Sequence, residues 1–131
     1  MSALSPRQLF LLDEACKPIA KAFDHYPYLV GTATEKQAYR DVDVRLILED
    51  AKYDVMHDAV GQEAIVFLGF AIGQYLADRT GLPIDFQFQR RTEANEKHHS
   101  KRRNPLGIRE LSEYKGDAPV VQNCNDQSGE Q

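Results

Sequence analysis

Hydrophobic positions along the chain fall into blocks with two different periods. Between Ser5 and Phe23, the residues Leu9, Leu12, Cys16, Ile19, Ala20 and Phe23 recur at helical spacing. Ser5, Pro6 and Gln8 supply an N-cap, a proline for the first turn and a capping-box partner, so a helix is expected to start there. Pro18 lies inside the pattern and is expected to kink or split it. "DHYP" (24–27) ends the block. "YLV" (28–30) is a short β-type run that stops at Gly31. Thr34 with Gln37 forms a second capping box and predicts a short helix. "RDVDVRLIL" (40–48) then alternates, with Val42, Val44, Leu46 and Leu48 on one face and Asp41, Asp43, Arg45 and Ile47 on the other. Too few residues separate these two strands for a parallel crossover, which needs about a dozen. They are expected to be antiparallel.

"EDAKYDVMHDAVG" (49–61) shows no clear period and reads as a mixed connector. Residues 62–79 read as a helix carrying Ala64, Ile65, Phe67, Leu68, Ala71, Ile72, Tyr75 and Leu76. It is apolar almost all round, so it is expected to be largely buried. Gly69 and Gly73 would let another element approach closely. Gly81 and Pro83 mark its end. "PIDFQFQ" (83–89) sets Ile84, Phe86 and Phe88 against Asp85, Gln87 and Gln89, which predicts a third strand. The order of elements predicts one α/β (α+β) domain over residues 1–110, with a small mixed β-sheet and helices packed on one face. A polar tail, 111–131, follows, and its composition predicts disorder.

Charge refines this picture. The net charge of −4 argues against a general nucleic-acid coat but leaves room for a local basic patch. Residues 90–109 provide that patch: Arg90, Arg91, Lys97, Lys101, Arg102, Arg103 and Arg109 stand against Glu93 and Glu96. A solvated charged helix or loop accounts for it. So does a clamp for phosphates or a nucleic-acid substrate through Arg90, Arg91, Arg102 and Arg103. The segment has no aromatic residue on which a single-stranded base could stack. His98 and His99 are adjacent and diverge, which disfavours zinc. Cys16 and Cys124 are distant and no signal peptide precedes them, so both read as free thiols of a cytoplasmic protein. The longest apolar run, 64–73, is about half of a membrane span.

Asp41 and Asp43 lie roughly 7 Å apart at Cα on the polar face of their strand. Asp85 is placed alike on the third strand. Three acids on one open sheet face repel unless something positive joins them. Mg²⁺ takes carboxylate oxygens and keeps positions for substrate phosphates. Two such ions about 4 Å apart clamp an in-line displacement at phosphorus, and Mn²⁺ can serve in their place. Upstream, "VGT" (30–32) ends a strand just before the expected helix. That junction offers backbone N–H groups to a phosphate, with Gly31 permitting close approach and the Thr32 hydroxyl as a donor.

"VGT", then "DVDV", then "IDFQ" resembles the nucleotidyltransferase superfamily of DNA polymerase beta, in particular its minimal members. A looser similarity, through "GLPIDFQ" and "NPLG", is to small phage-encoded nucleotidyltransferase-like proteins. The resemblance covers residues 28–89. It implies that Asp41, Asp43 and Asp85 bind two Mg²⁺ ions and catalyse transfer of a nucleoside monophosphate from a nucleoside triphosphate, ATP first among them, to an acceptor hydroxyl. It also implies that Gly31, Thr32 and the helix start at Thr34 hold the triphosphate. Arg45, on the acidic face, is either a phosphate contact or a salt bridge that orients the aspartates. Arg90 and Arg91 are further phosphate candidates. Thr32 replaces the usual serine, and the usual arginine soon after the glycine is missing, with Lys36 and Arg40 as possible substitutes. The acceptor, RNA or protein, is open. So are a homodimer and an inactive module that binds a nucleotide, RNA or partner protein.

Overall fold

The local signals at the first helix act as the sequence predicts. The computed structural model describes residues 4–31, 41–98 and 103–108. In it, Ser5 Oγ accepts from the Gln8 N–H at 3.1 Å, and Gln8 Oε1 accepts from the Ser5 N–H at 2.9 Å. Helix α1 (Pro6–Phe23) runs unbroken through Pro18, against the expected kink or split. Proline forfeits one hydrogen bond there. Packing on both sides of it compensates, because Leu12, Cys16 and Ile19 are all in the core. The Tyr75 hydroxyl also donates to the Ala15 carbonyl at 2.9 Å, tying the turn before Pro18 to a neighbouring helix.

Strands β1 (Tyr28–Val30) and β2 (Val42–Leu48) pair antiparallel, as expected from their short separation. Strand β3 (Ile84–Arg90) lies parallel to β2, and a short strand β4 (Asn104–Pro105) adds to the far side of β1. The order is β3-β2-β1-β4, a mixed sheet. Between β2 and β3 the chain forms α2 (Asp50–Val60) and α3 (Gln62–Thr80), and α4 (Arg91–His98) follows β3. The segment read as a connector is therefore a helix. Its hydrophobic pattern is weak because α2 contains no buried residue.

One face of the sheet presents Leu29, Val42, Val44, Leu46, Leu48, Phe86 and Phe88 to α1 and α3. Each such side chain contributes on the order of 1.5–3 kcal/mol on burial. The expectation that α3 is largely buried is corrected: only Ile65, Gly69, Gly73 and Leu76 are buried. A helix laid on one sheet face has one side to bury. Val66, Phe67 and Phe70 fall outside the buried stripe and are exposed. Gly81 ends α3 with φ +73°, and its N–H donates to the Ala77 carbonyl at 2.8 Å. Beyond β4, the Gly107 N–H donates to Oδ1 of the buried Asp13 at 2.7 Å, joining the last described segment to α1. Cys16 lies beside that junction, and burial pushes its thiol pKa well above the ordinary value, with the Asp13 charge adding to the effect. It is an inert core residue. Among the described residues no single helix is long and apolar enough to cross a membrane. The expected short helix at Thr34, residues 99–102 and the tail from 109 lie outside the described residues.

The two α3 glycines set how closely that helix meets β3. A Cβ at Gly73 would stand 3.4 Å from Phe86 Cβ, and one at Gly69 3.4 Å from the Phe86 carbonyl oxygen. A methyl fits at that range and a branched side chain does not. We expect Gly73→Ala to be neutral or stabilising by up to about 1 kcal/mol. Gly73→Leu should cost about 1–3 kcal/mol or more. Urea denaturation of both variants checks this, and equal stabilities would contradict the packing described.

Candidate active site

The parallel ladder puts Asp43 of β2 and Asp85 of β3 directly beside one another as register partners. Register partners face the same side of a sheet, and strands are spaced about 4.8 Å apart. The apolar alternation drives this outcome. Val42, Val44, Ile84 and Phe86 turn to the helices, so the aspartates must take the opposite face. Val30 flanks Asp43 on its other side. The chain then turns at Gly31 with φ +78°, so close to the acid that a Cβ there would lie 2.3 Å from Asp43 Oδ2. Gly31 does permit a close approach, and what approaches it is the Asp43 carboxylate.

Arg45 holds the pair together. Its Nη2 is 3.2 Å from Asp85 Oδ2 and 3.8 Å from Asp43 Oδ1. Its Nη1 donates to the Asp85 carbonyl at 2.6 Å and to the Val44 carbonyl at 3.1 Å. Only 11% of the side chain is exposed, and Nε is buried without a hydrogen-bond partner among the described residues. The orienting salt bridge is thus the role its contacts express. Gln87 adds a weaker hold, with Nε2 at 3.3 and 3.4 Å from the two Asp85 oxygens. Sequence reading missed Gln87, although strand alternation already placed it beside Asp85 on the acidic face.

Asp41 lies one residue before β2 and is exposed. Its strand parity matches Asp43, but no contact among the described residues gathers it to the pair. Among the described residues no group of three or more His, Cys, Asp or Glu is arranged around a common metal position. The donor chemistry of Asp43 and Asp85 suits one Mg²⁺, which is commonly bound by one or two carboxylates together with substrate phosphates. The Arg45 guanidinium is the cation between them here. Thr32, Thr34, Lys36, Arg40 and Arg102 lie outside the described residues.

Arg90 and Arg91 are elsewhere. Arg90 is about 16 Å along β3 from Asp85 by strand rise and on the opposite face by alternation. It pairs with Asp54 at 3.0 Å and Asp50 at 3.3 Å on α2. Arg91 is 3.7 Å from Glu49. Arg103 donates to the Ala94 carbonyl at 3.1 Å. The Arg90 hydrogen bond holds the Asp54 carboxyl below its ordinary pKa. Asp50 is lowered first by the Thr92 hydroxyl, then by the Thr92 N–H and, more weakly, by the Arg90 charge.

A cleft of about 400 Å³ opens beside Asp85. Tyr53, Val66 and Phe70 line it, with Gln62 and Gln87 as polar groups, and Asp85 is the one charged residue among the described residues that line it. A second cleft, about 550 Å³, lies between the end of α1 and Gly107 and is lined by Lys17, Lys21 and His25. Comparison with protein-family models, with curated proteins and with solved structures finds no match.

Two outcomes follow from the charge arrangement. Arg45→Gln should lower stability by about 1–3 kcal/mol, because it leaves two adjacent carboxylates without their cation. Millimolar Mg²⁺ should restore part of the loss, and thermal melts with and without the ion read both effects. Separately, a depressed Asp54 pKa stabilises the fold above the ordinary value of 3.8 and ceases to do so as pH falls through the lower, folded-state value. The Tm difference between the native chain and Asp54→Asn should therefore be present at neutral pH and close in acid. A difference that persists at the lowest pH would place the effect outside the Arg90 pair.

Proposed function

We propose that the chain is a magnesium-dependent nucleotidyltransferase that moves a nucleoside monophosphate from a nucleoside triphosphate to an acceptor hydroxyl. The observation that supports this best is the side-by-side placement of Asp43 and Asp85 on parallel strands, with the glycine turn at Gly31 against the first of them. The metal would be held by Asp43 and Asp85, joined by Asp41 if two ions bind. When bound, it supplies positive charge to the triphosphate and to the attacking oxygen. Asp85, which lines the cleft, would orient the acceptor hydroxyl and take its proton. The acceptor oxygen then bonds to the α-phosphorus while the bond to pyrophosphate breaks, and pyrophosphate leaves. Arg45 keeps Asp85 and Asp43 aligned, so most of the rate enhancement comes from positioning and fixed charge. Such chemistry belongs in the cytoplasm, where nucleotides and Mg²⁺ are plentiful.

A second reading has its own support. Arg45 already compensates both carboxylates, which suits a nucleotidyltransferase-like module that binds a nucleotide, RNA or a protein without turning it over. The two readings separate cleanly. In the first, Tm rises with ATP only when Mg²⁺ is present, and label passes from the α-phosphate of an NTP to RNA or protein. Asp43→Asn and Asp85→Asn should each reduce transfer by roughly 100-fold or more. A metal-dependent Tm rise without transfer supports the second reading. Full transfer by Asp43→Asn would falsify the first.

A further inference from the structure

Helix α3 carries an exposed apolar patch, whose Val66 and Phe70 also line the cleft beside β3. Val66, Phe67 and Phe70 are 60%, 72% and 71% exposed, and Ala64 and Ala71 lie among them, exposed too. Val60, at the junction with α2, is also exposed. No charged residue occurs between Glu63 and Asp78. Single exposed apolar residues are ordinary, whereas a contiguous aromatic patch marks an interaction surface.

We propose that this face of α3 is a self-association surface, on which α3 of a second copy of the chain packs antiparallel about a two-fold axis. The area fits. Phe67 and Phe70 together offer roughly 200–350 Å² on the scale of aromatic burial. The valines and the alanines raise the apolar total to roughly 400–600 Å². A homodimer interface of standard size covers about 800 Å² per partner, of which about 65% is apolar. The symmetry fits as well. With the axis passing between Leu68 and Gly69, Phe67 of one copy meets Phe70 of the other, and Val66 meets Ala71. Glu63 then meets the amide of Gln74, so no like charges are opposed, as a self-complementary interface requires.

Other occupants match less well. The face has no cation to attract a nucleic acid. The chain's own residues 109–131 carry Glu110, Glu113, Asp117, Asp126 and Glu130 against Arg109 and Lys115, a poor complement for an uncharged surface. They also follow Ile108, which leaves the sheet at the β4 edge, opposite to β3. The proposal does not depend on the nucleotidyl-transfer reading, although the second copy would also cover Val66 and Phe70 of the cleft beside Asp85.

Sedimentation equilibrium of the full chain across micromolar concentrations tests it. The expected result is a concentration-dependent approach to twice the 14.9 kDa chain mass. Phe67→Glu/Phe70→Glu should sediment as a monomer with unchanged circular dichroism, whereas Phe67→Leu/Phe70→Leu should still associate. As a readout that tolerates the loss of either variant, a mixture of Glu63→Cys and Gln74→Cys chains in a Cys124→Ser background should form a disulfide between copies on mild oxidation. A chain mass of 14.9 kDa at every concentration would overturn the proposal. So would a dimer that persists in the double glutamate variant, or an α3 face protected by the chain's own residues 109–131.

Discussion

The parallel pairing of β2 with β3 is the constraint from which the rest of the molecule follows. Parallel neighbours cannot be joined by a tight turn, so the chain must make a long crossover, and it spends that crossover on α2 and α3. α3 lies close enough to β3 that glycines occupy the contact. The same pairing buries the apolar side of both strands and forces Asp43 and Asp85 onto the other side, next to each other. The core and the acidic pair are two faces of one ladder. A one-residue slip in register would exchange them, exposing the valines and burying the carboxylates.

Adjacent carboxylates are costly unless compensated, and Arg45 supplies the compensation from within the fold. Arginine suits the position because its planar fork reaches a side-chain oxygen and two backbone carbonyls at once. The arrangement is a compromise. A guanidinium that stabilises the empty pair also competes with any other cation for the same oxygens. The depth of that competition separates an enzyme from a binding module built on the same frame.

Strand and helix assignments were legible where a period was present. Val42 to Leu48 and Ile84 to Phe88 alternate because one face of each is buried, and the side on which the acids lie could be read directly. The antiparallel pairing of β1 with β2 followed from chain length alone. Three things were not legible. Helix α2 buries no residue, so it leaves no apolar period, and it is tied to β3 through Arg90 with Asp50 and Asp54, contacts distant in sequence. The exposure of Phe67 and Phe70 was hidden because hydropathy reports that a side chain seeks burial without reporting what covers it. The bridge from Arg45 to Asp85 needed the register between strands, which no local pattern encodes. Strand rise carries Arg90 and the start of α4 at Arg91 to the far end of β3, away from Asp85.

Asp13 carries a consequence for how the protein is made. This carboxylate is fully buried in the first helix, and one of its partners, the Gly107 N–H, is 94 residues away in sequence. Leu106, beside it, fills the same interior. A nascent chain that has not yet extended past Gly107 has a hole in its core and a carboxyl group in the first helix short of one hydrogen-bond donor. Biosynthesis therefore must run almost through the whole domain before the first helix can settle, and chains released early are left open to proteases.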